Sequence, residues 1–225
     1  MAPAIEVADL DALAFDFYGT LVRLDRVVER CAALATAELA SRWRARQIQY
    51  ALLVSLMGRY QDFWTLTELA LRQVARELQL DLDAAQRTEL LQAWLDLEPF
   101  AEVRSALERL QTRPLFILSN GTPGMIAPVL ERHGLRGFFR EILSAEAVRI
   151  YKPAPAVYAL VETQAGFRRD RVLFVSVNGW DVVGAAQAGL RTCYLNRTGL
   201  PPDPLGPEPD LTASHLGELA TTLAP

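Results

Sequence analysis

Apolar and polar residues follow three different rhythms along this 225-residue chain. Near the start, Leu13-Ala14-Phe15 is a short apolar run that stops at the carboxylate of Asp16 and a turn at Gly19. It predicts a buried strand. From Val27 to about Leu95 the rhythm is helical. Ala, Leu, Arg and Gln dominate there, and Gly58 is its one glycine. The spacing predicts about four amphipathic helices. Beyond Pro99 the rhythm alternates. Helices are expected at 102–110, from 122 to His133 with Gly134 as a stop signal, at 155–165 and at 181–188. Strands are expected at 115–118, 141–144, 172–175 and 192–195. The Pro-rich stretch 199–209 reads as a loop, and 211–223 as a last short element. Strands alternating with helices predict an α/β class, a doubly wound parallel sheet. The helical stretch then becomes an insertion after the first strand. Residues 1–21 and 99–225 would form the core, and 22–98 a helical cap subdomain. No internal repeat interrupts this plan.

Composition narrows the classes. Hydrophobic residues make up 51% and charged residues 22%, which excludes wholesale disorder. The 23 basic and 27 acidic residues leave a net charge of -4, so no electrostatic footprint for nucleic acid is present. Of the basic residues, 22 are arginine and a single one, Lys152, is lysine. Cys31 and Cys193 stand far apart and form no CxxC pair, which fits a reducing cytoplasm better than a disulfide scaffold or zinc site. The two histidines, His133 and His215, sit in polar stretches and read as surface groups. Met1 to Leu10 shows no basic patch before an apolar run, so no signal peptide is expected. The longest apolar runs, 51–57 and 172–177, are too short to span a bilayer.

In open α/β sheets, ligands bind beyond the carboxyl ends of the strands. The residues just past the expected strands are chemically rich. The first strand offers Asp16, Tyr18 and Thr20. The second offers Ser119 and Asn120. The strand at 172–175 offers Ser176, Asn178, Trp180 and Asp181. Lys152 lies in the loop before the helix at 155–165. Each alone has a plain structural reading: Asp181 could cap a helix, and Asp16 could form a turn. Together they favour an active site.

Four segments in order resemble the haloacid dehalogenase superfamily. Phe15-Asp16-Phe17-Tyr18-Gly19-Thr20 is similar to its first motif, Leu118-Ser119-Asn120-Gly121 to its second, and Tyr151-Lys152-Pro153 to its third. Ser176-Val177-Asn178-Gly179-Trp180-Asp181 is similar to its fourth. The helical insertion lies where that superfamily places its first-type cap. Two positions choose a branch. Phosphatases of the superfamily carry an acid where this chain has Tyr18, and a metal-binding carboxylate where it has Val177. Valine offers no oxygen to Mg²⁺, and phosphoryl transfer leans on that ion. Both residues resemble the L-2-haloacid dehalogenase branch, as does the segment Trp43-Arg44-Ala45-Arg46-Gln47-Ile48-Gln49-Tyr50. Ala45 departs from it, standing where that branch carries glutamine.

The resemblance implies roles. Asp16 would be the nucleophile that forms an ester with the carbon bearing the halogen. Thr20 and Lys152 would orient it. Ser119 would bind the substrate carboxylate. Arg44, Asn120 and Trp180 would receive the halide. Asp181 would be the base for the hydrolytic water, with Ser176 and Asn178 positioning that water and Tyr158 supporting the cluster. Tyr18, Ile48, Phe63 and Trp180 would wall the alkyl group. The plain readings remain beside these: Arg44 as a solvated helix residue, Tyr158 and Phe63 as packing. The implied reaction converts (S)-2-haloalkanoic acids to (R)-2-hydroxyalkanoic acids without metal or organic cofactor, and leaves open whether fluoroacetate is also a substrate. The family implies a homodimer whose ligands are a small haloacid and a halide ion, with no nucleic acid or membrane partner. Two rivals stay in play, a Mg-dependent phosphatase of the same superfamily and a catalytically silent binding protein.

Overall fold

The computed structural model describes residues 9–223. The expectation of no signal peptide concerns the first ten residues, of which 1–8 lie outside the described ones. Six parallel strands form one sheet in the order β3-β2-β1-β4-β5-β6. They are β1 (Ala12–Phe15), β2 (Leu115–Ser119), β3 (Phe139–Ser144), β4 (Val172–Ser176), β5 (Arg191–Leu195) and β6 (Leu211–Ala213). Every residue of β1, β2 and β4 is buried, as expected for parallel strands covered on both faces. β1 lies at the centre, with Phe15 opposite Ile117 on one side and Val175 on the other. The chain order reverses at β1, so a crevice opens beyond its carboxyl end between the ends of β2 and β4.

Between β1 and the next core helix, α5 (Val103–Leu110), the chain builds four helices. They are α1 (Asp25–Leu34), α2 (Ala37–Leu56), α3 (Phe63–Glu77) and α4 (Ala84–Gln92). Side chains set their starts. Thr36 caps α2 by accepting from the Glu38 N–H, and Asp62 caps α3 by accepting from the Thr65 N–H. Asp83 and Gln86 form a reciprocal capping box on α4. The Trp43 indole N–H donates to the Thr67 carbonyl at 2.7 Å and ties α2 to α3. The chain leaves and re-enters the core side by side: the Arg23 N–H donates to the Glu98 carbonyl at 2.7 Å, and Glu98 also pairs with Arg26 at 2.8 Å.

The remaining helices are α6 (Pro123–Arg132), α7 (Pro155–Tyr158), α8 (Leu160–Thr163), α9 (Gly179–Gln187) and α10 (Leu216–Leu223). α6 ends as expected, with Gly134 at φ +60 just past it. Two expectations need correction. The helix anticipated at 155–165 is two short helices that part at Ala159. The last element, 211–223, is a strand followed by a helix, so the sheet gains a sixth member whose three residues are too few to show a period of their own. Cys31 and Cys193 are both buried and free. Among the described residues no helix is long and apolar enough to cross a membrane.

Candidate active site

The site is assembled by strand ends. β1 delivers Asp16, β2 delivers Ser119 and Asn120, and β4 delivers Ser176 and then Asn178, just before α9. Lys152 comes from the loop before α7. Its backbone N–H donates to Asn120 Oδ1 at 2.9 Å, which pins that loop to the end of β2. Its ammonium is 1% exposed and lies between two carboxylates, 3.4 Å from Asp16 Oδ1 and 2.9 Å from Asp181 Oδ2. It also rests 4.5 Å from the centre of the Phe174 ring.

Asp16 has further donors. Thr20 Oγ1 donates to Asp16 Oδ2 at 3.2 Å, and Asn178 Nδ2 donates to the same oxygen at 3.0 Å. Thr20 Oγ1 itself accepts from the Val177 N–H. The Asp16 carboxylate is thereby held from both oxygens. Asp181 sits deeper and is wholly buried. The Tyr158 hydroxyl donates to its Oδ1 at 2.7 Å, and Ser176 Oγ donates to its Oδ2 at 3.3 Å. Asp181 therefore does not cap α9; its carboxylate is committed to side chains. The approach of Tyr158 needs a glycine on α9, since a Cβ at Gly184 would lie 2.5 Å from the Tyr158 hydroxyl.

Three buried charges with a net charge of -1 are a poor way to stabilise a fold. They are a common way to prepare a reaction. Burial pushes Asp181 up to about 6; Asp16 adds to the rise, while Lys152 opposes it. That value is suited to a base working near neutrality. Burial also pushes the Tyr158 hydroxyl well above its ordinary value, so it donates as a neutral phenol.

A small cavity opens beside Asp16. Its volume is about 10 Å³, roughly the room that one water needs. Its floor is Asp16, Lys152, Asn178 and the Ser119-Asn120 turn. Its walls are Tyr18, Ile48, Phe63 and Trp180, with the Arg44 guanidinium among them. Thr20, Tyr158, Ser176 and Asp181 are not in this lining; they bond to Asp16, Lys152 and Asn178 or to one another. Ser119 Oγ accepts from the Gly121 N–H at 3.1 Å, just ahead of α6, where the helix dipole favours an anion.

Arg44 is not a solvated helix residue. It reaches inward from α2, with its guanidinium 5.6 Å from the ring centres of both Tyr18 and Trp94. Burial lowers its proton affinity and Asp16 raises it, and a guanidinium stays charged throughout. Trp94, which the sequence reading did not single out, packs edge-on against Tyr18 and Trp43. Its place after α4 carried no local signal beyond being aromatic.

The residues do not make a divalent-cation cradle. An ammonium already lies between the two carboxylates, Val177 supplies no oxygen from its side chain, and among the described residues no cluster of three His, Cys, Asp or Glu could hold a metal ion.

Comparison with known proteins agrees with this geometry. The family model for haloacid dehalogenase-like hydrolases matches residues 10–189. The (S)-2-haloacid dehalogenase of Pseudomonas sp. (strain YL) is 43% identical over 212 residues, covering 92% of this chain and 91% of that protein. Haloacetate dehalogenase H-2 of Moraxella sp. (strain B) is 38% identical over 220 residues, covering 96% of this chain and 98% of that one. The L-2-haloacid dehalogenase of Xanthobacter autotrophicus, solved with chloropropionic acid covalently bound, superposes with a TM-score of 0.88 at 31% identity, covering 95% of this chain and 98% of that one. An α/β hydrolytic core with this aspartate at its switch point belongs, on these matches, to the haloacid dehalogenase-like hydrolase family.

Tyr158→Phe removes a donor that favours the charged form of Asp181. Its carboxyl should then titrate above about 6, as read by carbon NMR of labelled aspartate. An unmoved titration would show that Tyr158 does not support Asp181.

Proposed function

We propose that this protein hydrolyses (S)-2-haloalkanoic acids to (R)-2-hydroxyalkanoic acids, with Asp16 as nucleophile. One observation carries the reading: Asp16 is held by Lys152, Thr20 and Asn178 at the floor of a small cavity whose wall contains a half-buried cation, Arg44. The relatives support it, since their names specify (S)-2-haloacids and haloacetate. The covalent chloropropionic acid of the Xanthobacter enzyme supports an ester route.

The chemistry follows from the placement. Ser119 and the N–H groups near α6 bind the substrate carboxylate. The walls of Tyr18, Ile48, Phe63 and Trp180 hold its alkyl group. An Asp16 oxygen attacks the carbon bearing the halogen from the side opposite the leaving group. The carbon–halogen bond breaks with its electron pair, and the halide departs toward Arg44, Asn120 and Trp180. A halide needs no proton, which is consistent with Tyr18 standing where an acid would otherwise be. Water then attacks the acyl carbon of the ester. Asp181 takes its proton, with Ser176 and Asn178 bridging the two carboxylates. The bond from the acyl carbon to the substrate oxygen then breaks, that oxygen takes the proton held by Asp181 and leaves as the hydroxyl of the product, and Asp16 loses its own proton to solvent; the chiral carbon is thus inverted once. The narrowness of the cavity supports reading α1 to α4, over roughly residues 22–98, as a cap that parts from the core to admit substrate.

The exposed apolar residues point to self-association. Leu52, Leu53 and Leu56 share one face near the end of α2, and Met57 continues it; Leu56 is 85% exposed. A homodimer would cover this stripe. Two free buried thiols suit a reducing cytoplasm.

A single turnover in H₂¹⁸O should place the label on Asp16 and leave the first product unlabelled, read by mass spectrometry of the peptide and the acid. Label appearing first in the product would contradict the ester, and absence of halide release from chloroacetate and from both enantiomers of 2-chloropropionate would contradict the activity. A fluoride electrode extends the same assay to fluoroacetate. By light scattering the protein should run at twice 25.0 kDa, and Leu56→Glu at 25.0 kDa. A wild-type mass of 25.0 kDa would exclude the dimer.

A further inference from the structure

Arg44 and its neighbour Arg46 on α2 are held by different partners. Arg46, two residues along α2, pairs with Glu77 at 2.8 Å. Among the described residues Arg44 forms no ion pair within 4 Å. Its guanidinium instead donates through Nη1 to the neutral oxygen Oε1 of Gln47, at 2.6 Å. Gln47 is wholly buried, three residues on and on the same face of the helix.

The orientation of that amide is fixed by what lies behind it. Gln47 Nε2 donates to Thr67 Oγ1 at 2.6 Å. Thr67 Oγ1 donates in turn to the Phe63 carbonyl at 2.6 Å. The hydroxyl proton is thus committed to Phe63, and Thr67 can only accept from Gln47. Gln47 must then present its oxygen to Arg44. The Thr67 carbonyl is held as well, by the Trp43 indole at 2.7 Å. Each hydrogen bond polarises the next in the same sense, from the guanidinium to the start of α3.

We propose that Gln47 and Thr67 are positioning residues that aim Arg44 into the cavity while leaving its charge whole. A carboxylate at position 47 would hold the guanidinium equally well but would cancel the field that a departing halide needs. An apolar group would leave the charge whole but unaimed. A neutral, buried and doubly anchored amide does both tasks. The proposal rests on Arg44 drawing off the halide, as set out above, and adds the residues on which that role depends.

The test compares single-turnover halide release from chloroacetate and bromoacetate in Gln47→Met, Gln47→Glu, Thr67→Val and Thr67→Ser, with melting temperatures. Methionine keeps the volume and the helix propensity of glutamine. Gln47→Met should slow chloride release by about 10- to 100-fold, the worth of a hydrogen bond to a charged group. It should slow bromide release less, because the better leaving group leans less on Arg44. Gln47→Glu should show the same ordering. Thr67→Val should lose in the same direction, and Thr67→Ser, which keeps the hydroxyl, should restore wild-type rates. A folded Gln47→Met enzyme with wild-type chloride release would overturn the proposal. So would an equal loss on both substrates, which is what a merely structural role predicts. If Gln47→Met does not fold, equal rates in Thr67→Val and Thr67→Ser overturn it instead. Wild-type protein that releases neither halide would sink the functional reading itself, and the positioning role with it.

Discussion

One ammonium group holds the site together. Lys152 lies buried between Asp16 and Asp181, and its ammonium is the charge that offsets both carboxylates there. The three groups come from three separated parts of the chain, so the contact depends on the whole α/β core. β1 and β4 must pair in register for Asp16 and Ser176 to emerge together. The Tyr151-Lys152 loop must dock on Asn120 for the ammonium to arrive. α9 must come close enough for Tyr158 to reach Asp181, which Gly184 permits. Stability gains little from this arrangement. What it gains is a carboxylate aimed by donors on both oxygens, beside a second one whose proton affinity burial has raised.

The helical layer contributes the opposite half. The core supplies anionic oxygen and the donors that orient it. α2 supplies the half-buried positive charge of Arg44, 5.6 Å from the ring centres of both Tyr18 and Trp94. The cavity lies where the two meet, and the Tyr151 hydroxyl donates across to the Gln61 carbonyl beyond α2. Nucleophile and cation therefore face each other across a space of small volume. That is the geometry a displacement needs when the leaving group departs as an anion.

Much of this was legible in the sequence, for local reasons. Each apolar run that stops at a polar residue marks a strand end, so Asp16, Ser119 and Ser176 could be read directly. The helical stretch from Val27 showed its period plainly. The order of the strands was not legible, because pairing is set by contacts between distant segments. The break at Ala159 and the short β6 left no periodic trace. Gln47 and Trp94 were passed over for a related reason. A glutamine on a helix and a tryptophan after one read as ordinary until α3 and Tyr18 are placed beside them. The lone lysine was conspicuous by composition alone. The structure gives it a physical setting, a compact ammonium between two carboxylates over a phenyl ring, where a planar guanidinium has a different shape and cannot share itself in the same way.

That substitution tests the account at its centre. Lys152→Arg keeps the charge and changes only its shape. Measured beside the wild type for halide release and thermal unfolding, the variant should unfold near the wild-type temperature. It should also lose about 10²-fold or more in turnover, on the scale of losing one charged group that orients the reaction. Near-normal turnover in a folded Lys152→Arg protein would contradict the claim that this ammonium organises the site.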